Sequence, residues 1–119
     1  MKRYSKAIKR LLSEAKTEAY ERELHRELTK LDASFEEWRR GEISNGELSY
    51  RVHQYERGPS QELYERYNAR MDDANVAYAI VTGILREQEV PQELLEALGS
   101  VLQSFRRMKE EGQLREPSE

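Results

Sequence analysis

The stretch MKRYSKAIKRLLSEAKTEAYERELHRELTKLDASFEEWRR, residues 1–40, decides the fold. No glycine or proline interrupts it, and its apolar residues recur at helical spacings, so it reads as one long helix. At 100° per residue, Tyr4, Ile8, Leu11, Leu12, Ala15 and Ala19 fall between about 20° and 120° on the wheel. Tyr20, Leu24, Leu28, Leu31, Phe35 and Trp38 fall between about 200° and 280°. The apolar stripe therefore jumps to nearly the opposite flank around Thr17–Tyr20. Supercoiling drifts a stripe by only about 20° per heptad and cannot produce that jump. Either an uncapped kink intervenes, or one straight helix faces two different surfaces. On the second reading, residues 20–38 pack on the chain's own core and residues 1–19 form an arm that reaches a neighbouring subunit.

Charge follows the same division. Residues 1–16 carry Lys2, Arg3, Lys6, Lys9, Arg10 and Lys16 against Glu14 alone, a local net of +5, and the formal total is −3, so the remainder sums to −8. A basic head on an acidic body fits head-to-body association between copies.

Outward from this helix, three punctuation marks divide the chain. Gly41-Glu-Ile-Ser-Asn-Gly46 reads as a turn, and Ser44 with Glu47 three residues on makes a capping-box pattern before Leu48. Gly58-Pro59-Ser60 reads as the end of one helix and the cap of the next. Glu89-Val90-Pro91 places proline at a first helical position. Helical segments are expected at roughly 3–40, 45–57, 60–88 and 91–111, with no strand pattern. In the third, Leu63, Tyr67, Met71, Ala74, Tyr78, Val81 and Leu85 form one stripe, apolar nearly all round after Ala74, which marks a central helix. In the last, Leu94, Leu95, Leu98, Val101, Leu102, Phe105 and Met108 form another. The expected fold is all-α: a small bundle of about four helices with a long N-terminal helix. Residues 1–112 make a single helical domain, and 113–119 a polar tail that frays. The stripes of residues 20–38, 48–55, 63–85 and 94–108 would share one core.

Composition narrows the function classes. At 119 residues the chain fits one domain, and 37% hydrophobic against 36% charged residues suits amphipathic helices that each bury a narrow stripe. The sequence has no cysteine, which excludes disulfides, zinc–thiolate sites and thiol catalysis. No apolar run approaches the roughly 18 residues needed to cross a bilayer. Lys9, Arg10 and Glu14 interrupt what would be the apolar segment of a signal peptide. A cytoplasmic location is the expectation.

Chemical motifs are few. The residues three before His25 and His53 are Arg22 and Tyr50, so neither histidine completes the Glu-x-x-His pair of a di-iron bundle. Glu21 and His25 lie one turn apart, a solvated surface pair. There is no Gly-x-Ser-x-Gly elbow, phosphate-cradling glycine loop or calcium-loop spacing. Glu36-Glu37 and Asp72-Asp73 are neighbours in sequence, not the facing pair that acid/base work requires. No catalysis, cofactor or metal is expected.

Two surfaces remain as candidates. Tyr50, His53 and Arg57 recur at spacings of three and four on a different face from Leu48, Val52 and Tyr55, and Tyr64, Arg66 and Arg70 follow past the next turn. Tyrosine and arginine are enriched at protein interfaces. Interleaved Glu47, Glu56, Glu62 and Glu65 would repel a phosphate backbone. The second surface is the arm, with apolar Tyr4, Ile8, Leu11, Leu12 and Ala15 and basic Lys6, Lys9 and Arg10. Its amphipathic face suits helix packing above all, then a nucleic-acid contact, then a membrane surface. The sequence thus points to a non-catalytic helical interaction protein, an adaptor or small regulator, that forms a homodimer or a higher even oligomer and can meet another protein. A nucleic-acid-binding regulator using the basic N-terminal helix is the alternative.

Overall fold

The computed structural model describes residues 4–69 and 71–117. Among them the chain is helical, without a strand: α1 Lys6–Arg39, α2 Asn45–Tyr55, α3 Gln61–Tyr67, α4 Asp72–Val81, α5 Gln92–Ala97 and α6 Gly99–Glu110. The all-α class and the long N-terminal helix are as expected. No helix among the described residues is long and apolar enough to cross a membrane.

α1 is one uninterrupted helix of 34 residues, capped by the Ser5 hydroxyl, which accepts from the Ile8 N–H at 3.1 Å. At 1.5 Å per residue it is about 51 Å long, against a longest molecular dimension of 53 Å. α1 thus spans the molecule, and everything else is hung along it. No break intervenes near Thr17, so one helix does face two surfaces.

Both surfaces belong to the same chain, and their allocation reverses the expectation. The early stripe, not the late one, enters the main core. Leu12 (3% exposed) and Ala19 are buried with Val76, Ala77, Ile80, Leu94 and Leu98, while Tyr4, Ile8, Leu11 and Ala15 pack against that cluster. α4 and α5 cover the early half of α1, and α6 lies on α4. The Tyr4 hydroxyl donates to Asp73 at 2.9 Å and Lys16 pairs with Asp72 at 3.1 Å. Part of the basic head is therefore answered by the acidic start of α4 in cis. The arm's apolar side is occupied at home, which corrects the reading that residues 1–19 reach a neighbouring chain. Lys2 and Arg3 lie outside the described residues.

The late stripe leaves the core after Tyr20 and Leu24. From there α1 is accompanied by α2, which packs back along it and touches the adjoining turn. Leu48 is buried under α2, but it lies outside the main cluster. The stripes of 20–38 and 48–55 thus form a second, two-helix layer rather than sharing one core.

Three predicted boundaries also move. Gly58-Pro59-Ser60 does not separate two helices. Residues Glu56–Ser60 form a π-turn that leads straight into α3, and Ser60 keeps helical angles with no side-chain cap. The wider π-turn accommodates the proline ring and its missing N–H. The break falls instead at 68–71. There the Asn68 amide donates to the Tyr64 carbonyl at 2.8 Å and the Asn75 amide to the Arg66 carbonyl at 3.0 Å, satisfying two helix-end acceptors. The direction change carries Met71 out of its predicted stripe into solvent. α4 stops at Val81 because Gly83 adopts φ +85°, and the Leu85 N–H turns back to the Ala79 carbonyl at 3.0 Å. The last segment is interrupted at Leu98, between α5 and α6.

Candidate interaction surface

The α1–α2 hairpin is built from its turn outward. Gly41 (φ +74°) closes α1, and the Ser44 hydroxyl accepts from the Glu47 N–H at 3.0 Å to open α2. The Glu47 carboxylate is engaged by Arg51 at 2.9 Å. Arg51 also reaches across to Glu37 at 2.7 Å and to the buried Ser34 hydroxyl at 3.2 Å, clamping α2 onto α1. Near the tip the Trp38 indole N–H donates to Asn45 at 2.7 Å, and the Trp38 and Phe35 rings meet edge to face. A two-helix layer can cover only one side of each helix. Accordingly Leu28 is 46% exposed and Trp38 39%, while Leu31, Phe35, Val52 and Tyr55 are half-buried. Between residues 24 and 57 the hairpin carries seven acidic and six basic side chains, so its field is close to neutral.

The predicted Tyr/Arg surface is distributed along the α2–α3 rod. Tyr50 is 57% exposed and Tyr64 60%, with His53 and Arg57 exposed between them. Fourteen residues at about 1.5 Å each put Tyr50 and Tyr64 about 21 Å apart along the rod, so they line no common pocket. The Tyr50 hydroxyl accepts from Gln54 at 3.0 Å. Arg66 does not join the exposed row. It turns inward to Glu23 at 3.3 Å and sits over the Tyr78 ring, 5.5 Å from its centroid. Arg70 lies outside the described residues. In the arm, Lys6, Lys9 and Arg10 are exposed, with Arg10 paired to Glu14 at 3.1 Å. Ile8, Leu11, Leu12 and Ala15 face the core.

Sequence reasoning missed the buried polar centre. Glu23 is buried on α1 and accepts from the Tyr67 hydroxyl at 2.5 Å. The Tyr67 ring packs on Tyr20 with centroids 5.2 Å apart. Burial, and then the bond to Glu23, push the Tyr67 hydroxyl far above its ordinary pKa. The one available signal was that Glu23 follows Ala19 by four residues, on the flank that enters the core. Also missed was Arg22, which grips Glu89 through two nitrogens at 2.5 and 3.1 Å and donates to the Ile84 carbonyl at 2.9 Å. Arg22, helped by the Arg86 backbone N–H, holds the Glu89 carboxyl down at about 2. Both centres join segments more than forty residues apart, which is why no local pattern marked them.

Beside Glu23 a cleft of about 210 Å³ opens, lined also by Arg26, Glu62, Leu63 and Arg66. His25 and His53 are both exposed, and among the described residues no three His, Cys, Asp or Glu side chains gather as a metal site. Comparison with family profiles, curated protein sequences and solved structures returns no match.

Proposed function

We propose that this chain is a non-catalytic helical interaction protein, an adaptor or small regulator, that self-associates and meets its partners through the α1–α2 hairpin. The observation that carries the reading is the exposure of Leu28 and Trp38 on a two-helix layer whose Leu31, Phe35, Val52 and Tyr55 are half-covered. Leu28 and Trp38 lie about three turns apart on the same helix, and exposed leucine and tryptophan along one layer mark an association surface more than an accident of composition. A second hairpin laid on the first would complete a four-helix arrangement, the usual way such a layer closes its core.

The dimensions suit a modest interface. From Leu24 to Arg39 the hairpin is about 24 Å long, and two helices side by side are about 20 Å wide, so two copies would cover about 1,000 Å² in all. Its near-neutral charge lets copies approach without net repulsion and offers nothing to a polyanion. The exposed Tyr50, His53 and Arg57 extend the surface along α2 toward a further protein partner. The same proposal places the chain in the cytoplasm. A nucleic-acid role for the arm draws less support, because among its described residues Lys16 is engaged by Asp72 and the exposed Arg10 by Glu14.

Light scattering across a concentration series tests the reading. The expected result is twice the chain mass, falling to the chain mass in Leu28→Glu/Trp38→Glu while helicity is kept. A wild-type chain that stays monomeric at millimolar concentration, or a dimer indifferent to both substitutions, overturns the hairpin as the self-association surface.

A further inference from the structure

The tip of the hairpin carries the dipeptide Asn45-Gly46, and both residues are exposed. Asn45 opens α2, and its side-chain Oδ1 accepts from the Trp38 indole N–H at 2.7 Å. Ser44 takes the Glu47 N–H on its hydroxyl at 3.0 Å and the Leu48 N–H on its carbonyl at 3.1 Å, so the hold on the first turn begins one residue beyond Gly46. The Gly46 N–H itself belongs to the group at a helix start that has no intrahelical acceptor. The two other asparagines of the chain are placed differently. The Asn68 amide is tied to the Tyr64 carbonyl and precedes Ala69. Asn75 is buried, its amide is tied to the Arg66 carbonyl, and it precedes the branched Val76.

We propose that Asn45-Gly46 is a modification site, at which the chain deamidates itself with help from Trp38. The Gly46 backbone nitrogen attacks Asn45 Cγ. The N–Cγ bond forms, the Cγ–Nδ2 bond breaks, and the Gly46 N–H proton leaves with Nδ2 as ammonia, closing a succinimide ring. Water then opens the ring at either carbonyl. One product is aspartate; the other is isoaspartate, joined to Gly46 through the former side-chain carbonyl. Glycine suits the step because no Cβ crowds the attacking nitrogen and its backbone turns freely. Trp38 suits it because negative charge develops on Oδ1 during the attack, and the indole N–H is already aimed there. The products act differently on the hairpin. Aspartate places a carboxylate in the first turn of α2, where the helix dipole favours it. Isoaspartate lengthens the main chain by one methylene between the Ser44 cap and the Glu47 N–H it holds, which unseats the cap and loosens the tip. The hairpin thus carries a slow, one-way change at its turn, and the reaction stands whether or not the chain self-associates.

The test incubates the full-length protein in mildly alkaline buffer at body temperature and follows it by peptide mapping with mass spectrometry. Enzymatic methylation of isoaspartate gives a second readout. Asn45 is expected to convert to the acid, in part as isoaspartate, while Asn68 and Asn75 keep their amides as internal controls. A Cβ on Gly46 would meet only the Ser44 hydroxyl oxygen, at 3.9 Å, so Gly46→Ala keeps the fold and should hold Asn45 as the amide over the same interval. Trp38→Phe should slow the conversion about fivefold, the worth of one hydrogen bond. Circular dichroism confirms that both variants stay helical. An Asn45 that converts no faster than Asn68, or equally fast in Gly46→Ala, overturns the proposal. So does a Trp38→Phe rate equal to or above that of the wild type, which would make the indole a restraint on Asn45 and not its activator.

Discussion

Replacing Tyr67 by phenylalanine removes one oxygen from the interior and leaves the ring, its packing on Tyr20 and the volume of the site intact. What changes is the environment of Glu23. In the native chain this buried carboxylate accepts from the Tyr67 hydroxyl at 2.5 Å and faces Arg66 at 3.3 and 3.4 Å, at the outer limit of hydrogen bonding. Without the phenol it keeps only the longer, half-exposed partner. A hydrogen bond to a charged group contributes about 1.5–3 kcal/mol, and an abandoned buried acceptor loses at the upper end of ordinary bonds, so Tyr67→Phe should cost about 2 kcal/mol. For a chain of this length that lowers the thermal midpoint by about 8 °C. Urea unfolding followed by circular dichroism measures it directly. Glu23→Leu/Tyr67→Phe should recover part of the loss, because removing both partners leaves nothing unsatisfied except Arg66, which reaches solvent. A cost below about 0.5 kcal/mol for Tyr67→Phe would refute the reasoning. So would a double variant whose loss is the sum of the two single ones.

Leu12→Ala should cost about 3 kcal/mol, and that cost should not vary with protein concentration, because the cavity opens within one chain; a difference between wild type and variant that changes with concentration would contradict this. The Glu89 carboxyl has its pKa lowered from 4.5 to about 2, chiefly by Arg22, so its stabilisation is full above pH 4.5 and lost as pH falls toward 2. Acid titration of Glu89→Gln should lack that part of the wild-type decline. Burial and then the bond to Asp73 raise the Tyr4 hydroxyl from 10.0 to about 12, so its stabilisation is full below pH 10 and lost as pH rises through 12. Tyr4→Phe should remove one late-ionising tyrosine from the near-ultraviolet titration. An unchanged profile would show Tyr4 to be solvated.

Much of the fold was legible because its signals are local. The absence of breakers through residue 40, the Ser44–Glu47 cap and the apolar girth of residues 74–81 each correspond to an observed element. The reversal of the α1 stripe was legible too, but it left a kink or one helix with two faces, and the unbroken α1 decides for the second. Which neighbours serve those faces was not legible, since α4 and α5 arrive from residues 72–97 and periodicity carries no information about partners. Pro59 misled because a π-turn absorbs it, and 68–71 escaped notice because asparagine side chains, not glycine or proline, terminate the helices there. Of the candidate surfaces, the exposure of Tyr50, His53, Arg57 and Tyr64 follows from their spacing. Arg66 and the arm's apolar side are claimed by contacts forty or more residues away.

The central claim is that the early half of α1 docks on α4 of its own chain. Zero-length carbodiimide coupling tests it without any substitution, because the Lys16 amine and the Asp72 carboxylate stand 3.1 Å apart. Coupling an equal mixture of isotopically light and heavy chains and sequencing the products by mass spectrometry reports whether each amide joins one chain or two. The account predicts Lys16–Asp72 amides that are wholly light or wholly heavy. Mixed-label amides at the statistical half would show that the arm lies on another molecule.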